Sequence, residues 1–278
     1  MIIIGITGFF IRSGFNLGID FLGGSLIEVE FEKEVNVAEV REVMNDLGYS
    51  SAILQMVKTR PIQTESNRFI IRTTPISTEE KDEILGLLDE RIGLTGEPLQ
   101  DRVVDPGFGK QITRYALIAI GISIVGILIY IWIRFEFRFG ATAILALFHD
   151  VMVTLGVYAI LYREINTSTI AALLTIIGYS LNDTIVVFDR IRENTPLTRK
   201  LGYSRVVNDS VNITLSRSIN TSVTTLFPVI LLLILGTSAL KDFALALTIG
   251  IISGTYSSIF FASPILVSWN NRFPKYKK

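Results

Sequence analysis

The sequence predicts an α-helical membrane protein: a transmembrane bundle of six helices, the first incomplete, with one α+β domain between its first two spans. Three observations predict it. Apolar residues fill 49% of the 278 positions and fall in runs of about 20, the length a helix needs to cross a hydrocarbon layer ~30 Å thick. One interval, residues 12–113, breaks that pattern and alternates instead with the periods of strands and surface helices. Charge is segregated as well: residues 12–113 hold 11 Lys/Arg against 18 Asp/Glu and the remainder 15 against 8, so a net charge of zero divides into −7 and +7.

The opening run, MIIIGITGFFI (residues 1–11), reaches only about 16 Å as a helix. A signal peptide would need a basic start and a small-residue cleavage site, and neither precedes Arg12. The run is therefore read as the outer half of a first transmembrane helix. Five full spans are expected at 114–134, 140–162, 168–188, 213–236 and 243–268, within a membrane region of residues 114–270, followed by a basic tail at 271–278. Pro228 and Pro264 are tolerated, because neighbouring helices can satisfy freed backbone groups.

Orientation follows from Lys and Arg in the short connections, which are richer on the cytoplasmic side. One set of connections holds Arg134, Arg138, Arg190, Arg192, Arg199, Lys200, Arg205 and the tail's Arg272, Lys275, Lys277 and Lys278; the opposite set holds Arg163 and Lys241. The tail and the 189–212 loop are thus expected in the cytoplasm, and residues 12–113 outside, in a multi-pass protein of the cytoplasmic membrane. Basic residues beside apolar runs also suit anionic lipid headgroups, and nothing in their distribution suggests nucleic acid. The chain has no cysteine, which excludes disulfides, thiolate metal sites and a cysteine nucleophile.

Within the outer domain, Ile27, Val29 and Phe31 alternate with Glu28, Glu30 and Glu32, the pattern of a half-buried strand. A helix follows with Asn36 and Glu39 as a capping pair, Val37, Val40, Met44 and Leu47 on one stripe, and Gly48 as its stop. Strands are expected over 52–58 and 68–73. A second helix starts near Ser77 and Glu80, buries Ile84, Leu87, Leu88 and Ile92 and ends at Gly93, and a last strand fits 98–105. This β-α-β-β-α-β order predicts a ferredoxin-like domain, a fold that says little about activity. No metal-ligand cluster, phosphate-binding loop or nucleophile triad stands out in it. Its acidic surface is the ordinary solvated face of a soluble domain.

The chemistry lies in the spans. An ionisable group at mid-helix costs about 2.5–3.5 kcal/mol to insert and is seldom left without a partner or a task. Asp183 sits deep in its span, Arg217 lies near the start of the next, and Thr214, Asn220, Thr221 and Thr224 add polar groups to that helix. The two spans are antiparallel neighbours, so Asp183 and Arg217 are expected to meet. Burial disfavours a charged carboxylate while a guanidinium favours it, and a group balanced between the two can bind and release a proton. A static ion pair that fixes helix packing is the alternative. His149 and Asp150 fall near the middle of another span, as a proton relay or a hydrogen-bonded packing pair. Asp189, Arg190, Arg192 and Glu193 mark the end of a span, where charges reach water.

Four blocks, in order, carry a resemblance: FNLGIDFLGG (15–24), FHDVMVTLG (148–156), LLTIIGYSLNDTIVVFDRIREN (173–194) and LSRSINTSVTTL (215–226). Together they make nearly the whole chain resemble the SecF subunit family of the bacterial Sec protein-export machinery, which is similar to RND-type transporters. The resemblance implies a SecD-like partner, association with the SecYEG channel, a translocating polypeptide as substrate and use of the proton motive force. It also implies that Asp183 and Arg217 belong to the proton-responsive membrane site. The block with Gly18, Asp20, Gly23 and Gly24 reads as a hinge or strand start rather than a chemical site.

The expected function is that of an ion-gradient-driven translocase subunit with no covalent catalytic site, cofactor or metal. A passive membrane assembly factor and an RND-type efflux component are the alternatives. The latter would need a larger outer porter domain, and the coupling ion stays open between proton and sodium.

Overall fold

The computed structural model describes residues 14–57 and 65–276; the expected half-span at 1–11 lies outside them. The described residues form two compact units, one of residues 17–115 and one of residues 14–16 with 116–276.

In the first unit the chain runs β1 (Gly24–Asn36), α1 (Val37–Asp46), β2 (Ile53–Met56), β3 (Glu65–Thr73), α2 (Thr78–Arg91) and β4 (Gln100–Val104). The four strands form one sheet in the order β2-β3-β1-β4, every neighbouring pair antiparallel. Both helices begin as local chemistry dictates. The Asn36 side chain accepts from the Ala38 and Glu39 amides while Glu39 reaches back to the Asn36 amide, and Ser77 and Glu80 repeat the arrangement, satisfying amides that an uncapped helix leaves orphaned. Gly48 and Gly93 follow the two helices at φ +83° and +90°, where a side chain would be strained. Ile27, Val29 and Phe31 of β1 pack with Val40 and Met44 of α1, Phe69 and Ile71 of β3, and Ile84 and Leu88 of α2 in one core.

Alternation misassigns one residue. Glu28, expected on the solvated face, is buried and ion-paired to Arg68 at 2.7 Å. β1 is a central strand, flanked by β3 and β4, so its second face is covered by the long side chains of its neighbours.

The glycine motif lies just before β1. Gly23 and Gly24 adopt φ +75° and +128°, and a Cβ would lie 2.6 Å from Pro106 Cα at Gly23 and 2.5 Å from the Thr73 carbonyl oxygen at Gly24. Gly18 has ordinary extended backbone and precedes a short helix, Ile19–Leu22. Asp20 is buried and ion-paired to Arg102. These residues tie the chain into the sheet. Gly24→Ala is expected to destabilise this unit by about 2–4 kcal/mol, combining backbone strain with overpacking, measured as faster hydrogen exchange of the β1 and β3 amides in the intact chain.

The second unit contains α3 from Ala116 onward (the helix as a whole is Pro106–Arg134), α4 (Phe137–Leu161), α5 (Thr167–Asn194), α6 (Tyr203–Leu235), α7 (Ser238–Ser257), a π-helical turn (Ser258–Ala262) and α8 (Ser263–Arg272). The π turn and α8 continue directly from α7. Among the described residues, five helical stretches are long and apolar enough to cross a membrane. The largest differences from the expected boundaries are three: α3 starts at Pro106 rather than 114, α5 continues through the charged segment to Asn194, and α6 starts at Tyr203, with short helical turns between α5 and α6. The 189–212 segment is therefore largely helix, not loop. Ile191 extends the buried stripe of Val187 and Phe188, and Asp189–Arg192 and Arg190–Glu193 pair at i,i+3, a spacing that supports helix. Asp189 also pairs with Arg134 at 3.0 Å. Pro228 sits inside α6 and Pro264 at the start of α8.

At the end of α8 the tail folds back. Asn270 accepts from the Lys275 and Tyr276 amides, and Lys275 and the Tyr276 hydroxyl both reach Glu136. Burial pushes the Glu136 carboxyl up, but these hydrogen bonds and the charges of Lys275 and Arg138 outweigh it and hold the group below the usual carboxylate range.

Candidate functional site

Two carboxylates lie buried among the helices of the second unit, Asp150 on α4 and Asp183 on α5. α7 approaches α5 closely because Gly250 and Gly254 face it: a Cβ would come within 2.3 Å of Ile176 at Gly250 and 3.0 Å of the Ser180 Cβ at Gly254. This is the small-residue spacing that lets membrane helices touch along their backbones. Serines at the same level then reach the acids.

Asp183 accepts from Ser218 Oγ of α6 at 2.6 Å and from Ser258 Oγ, the first residue of the π turn, at 3.0 Å. Asp150 accepts from Ser180 Oγ of α5 at 2.5 Å, from Ser253 and Ser257 of α7 at 2.7 Å each, and contacts His149 Nδ1 at 3.0 Å. Nδ1 donates to the carboxylate and accepts from the carboxylic acid, so this contact is compatible with either protonation state. The His149 ring stacks on Phe261 at 4.7 Å. Beside these acids, Ser222 Oγ bonds Thr255 Oγ1 and lies 3.3 Å from the Tyr179 hydroxyl. The result is a hydroxyl-lined polar layer inside an otherwise apolar bundle.

The expected Asp183–Arg217 pair is not formed within this chain. Arg217 is exposed and has no ion pair among the described residues. Consecutive helical residues point about 100° apart, and Ser218 takes the inward direction. The inward stripe of α6 is Thr214, Ser218 and Ser222, at steps of four. Of the polar stripe expected there, only Thr214 belongs to it; Thr221 is half-buried, and Asn220 and Thr224 are exposed, on the side of the helix that carries Arg217.

His149 and Asp150 do meet, and Asp150 is the more thoroughly enclosed of the two acids. Sequence reasoning did not foresee that serines hold the acids, or which ones: Ser180, Ser253 and Ser257 at Asp150, and Ser218 and Ser258 at Asp183. The available signal was their spacing, with Ser253 and Ser257 one turn apart on α7 and Ser180 one turn before Asp183.

The comparisons agree with this architecture. Residues 90–272 match the family model "Protein export membrane protein SecD/SecF, C-terminal", and residues 8–35 match "SecD/SecF GG Motif", which includes Gly23 and Gly24. The chain is 44% identical over 273 residues to Protein translocase subunit SecF of Thermodesulfovibrio yellowstonii, covering 96% of this chain and 88% of that one. It is 41% identical over 266 residues to Protein translocase subunit SecDF of Thermus thermophilus, covering 96% of this chain but 36% of that longer one. A crystal structure of the Thermus SecDF, titled a translocon-associated membrane protein, superposes with a TM-score of 0.87 at 40% identity, over 98% of this chain and 36% of that one. A second SecDF structure, in the super-membrane-facing form, gives 0.68 at 41% identity over the same shares. With a family match over most of its length and relatives at about 40% identity spanning nearly all of it, this multi-pass membrane chain belongs to the SecD/SecF family of protein-export membrane proteins.

Proposed function

We propose that this chain is the SecF-type subunit of a SecDF complex that uses the proton motive force to promote polypeptide translocation with SecYEG across the cytoplasmic membrane. The observation that carries it is Asp183: a buried carboxylate held, among the described residues, by hydroxyls of the α6 serine and the π-turn serine. A hydroxyl donates to a carboxylate and accepts from a carboxylic acid, so the same two serines serve both protonation states. A buried guanidinium would not. One proton moving through 100 mV supplies about 2.3 kcal/mol, enough to bias helix packing.

Arg217 supports the partner. Left facing lipid, a mid-helix cation costs about 2.5–3.5 kcal/mol. With Asn220 and Thr224 exposed on the same side, this face of α6 is the one that meets a SecD-like subunit, where Arg217 joins the proton-responsive site. The distribution of Lys and Arg supports a cytoplasmic tail and an extracytoplasmic domain over residues 12–113. Element order and the strand order β2-β3-β1-β4 support a ferredoxin-like type for that domain. No covalent chemistry is required of any residue.

The test is ion flux and export in vesicles holding this chain, its SecD-like partner and SecYEG, under separately imposed pH and sodium gradients. A pH gradient alone should drive both flux and export. Stimulation by sodium alone, with none from the pH gradient, overturns the proton assignment; stimulation by neither leaves only a passive assembly role.

A further inference from the structure

The two buried acids differ in how fully they are occupied. A carboxylate has about four lone-pair sites. At Asp150 all four are taken, Oδ1 by Ser253 and His149 and Oδ2 by Ser180 and Ser257. At Asp183, among the described residues, each oxygen has one donor, Ser218 or Ser258, so two sites are left without a donor from these helices. A proton can settle on Asp183 with both hydroxyls still donating, whereas at Asp150 one of the four neighbours must reverse from donor to acceptor.

The donors on the last membrane segment divide between the acids at one peptide bond. Ser253 and Ser257 hold Asp150, while Ser258 holds Asp183 and opens the five-residue π turn Ser258–Ala262. A π turn carries one residue more than an α-helix needs and is a recurrent feature of functional sites. Ser258 Oγ also lies 3.0 Å from the Thr255 carbonyl, so its hydroxyl keeps a partner if Asp183 lets it go. Beyond the turn, Pro264 has no amide hydrogen to reinforce the helix.

We propose that Asp150 is a positioning residue that takes no part in proton exchange and bolts α7 to α4 and α5 as far as Ser257, so that protonation of Asp183 acts through Ser258 on the π turn and on α8 beyond it. The inference rests on the proton-exchanging role assigned to Asp183 above. Among the described residues, the other titratable or charged groups nearby are His149 on α4, Tyr179 on α5 and Tyr256 on α7, whose ring stacks on His149 at 6.4 Å. α6 presents hydroxyls to the acids and its Arg217 outward.

The test uses the full chain with its SecD-like partner. Infrared difference spectra between acidic and alkaline buffer report the carboxyl groups that gain or lose a proton. The carboxyl signal should vanish in Asp183→Asn and persist in Asp150→Asn. A signal that survives in Asp183→Asn and is lost when Asp150→Asn is added to it makes Asp150 an exchanger and overturns the proposal. No signal in the unaltered complex defeats the role of Asp183 itself, a separate failure. Deleting Phe260, an exposed residue of the π turn, restores regular α-helix; it should keep the Asp183 signal while lowering gradient-stimulated export at least about tenfold. Undiminished stimulation in that variant overturns the turn's part in the mechanism.

Discussion

Asp183→Asn is expected to abolish the gradient-driven part of export while leaving assembly with the partner and gradient-independent export within about twofold. The amide has the shape of the acid and can exchange hydrogen bonds with the same two hydroxyls, Ser218 and Ser258, so the bundle keeps its packing. What the variant lacks is a second protonation state. One proton falling through 100 mV is worth about 2.3 kcal/mol, roughly a 50-fold bias between two states, and stimulation should drop by a factor of that order. Export by inverted vesicles with and without an imposed pH gradient, together with co-purification of the partner, separates the two effects. Full stimulation in the variant removes Asp183 from the mechanism, and loss of the complex would make its role structural.

Gly254→Leu should be the most damaging substitution in the bundle outside the acids. Any side chain at 254 meets Ser180 at its Cβ and backbone, so α7 must move away from α5. Ser180 is also a donor to Asp150, and Ser253 and Ser257 flank Gly254 on α7. The displacement therefore adds overpacking to the exposure of a buried carboxylate stripped of partners. The combined cost is about 3–5 kcal/mol, comparable to removing one member of a buried ion pair. Thermal unfolding in detergent should show a large drop, with Gly254→Ala intermediate. A Gly254→Leu chain as stable as the original would mean that the close approach of the two helices does not hold the polar layer together.

Much of this molecule could be read along one dimension. The capping pairs Asn36–Glu39 and Ser77–Glu80, the glycine stops at 48 and 93, the buried stripes of α1 and α2 and the apolar runs of the spans are local properties, set by residues within one or two turns. The cost of a carboxylate in an apolar helix is local too, which is why Asp183 and Asp150 stood out.

Their partners were not legible in that way. Whether Asp183 faces Arg217 or Ser218 depends on a rotation of about 100° of α6 about its axis, and a run of polar residues at steps of three and four fits either direction. Packing against α5 and α7 chooses Ser218. The donors to Asp150 come from residues 30, 103 and 107 positions away and meet only because glycines let α7 lie against α5. Glu28 shows the same limit in the sheet: alternation assigned its face, but only the flanking strands decided that the face is covered. The sequence by itself determined that acids would be buried in this membrane and on which helices. The tertiary structure decided that serines hold them, because hydrogen bonds between helices depend on relative rotation and distance, which no single helix encodes.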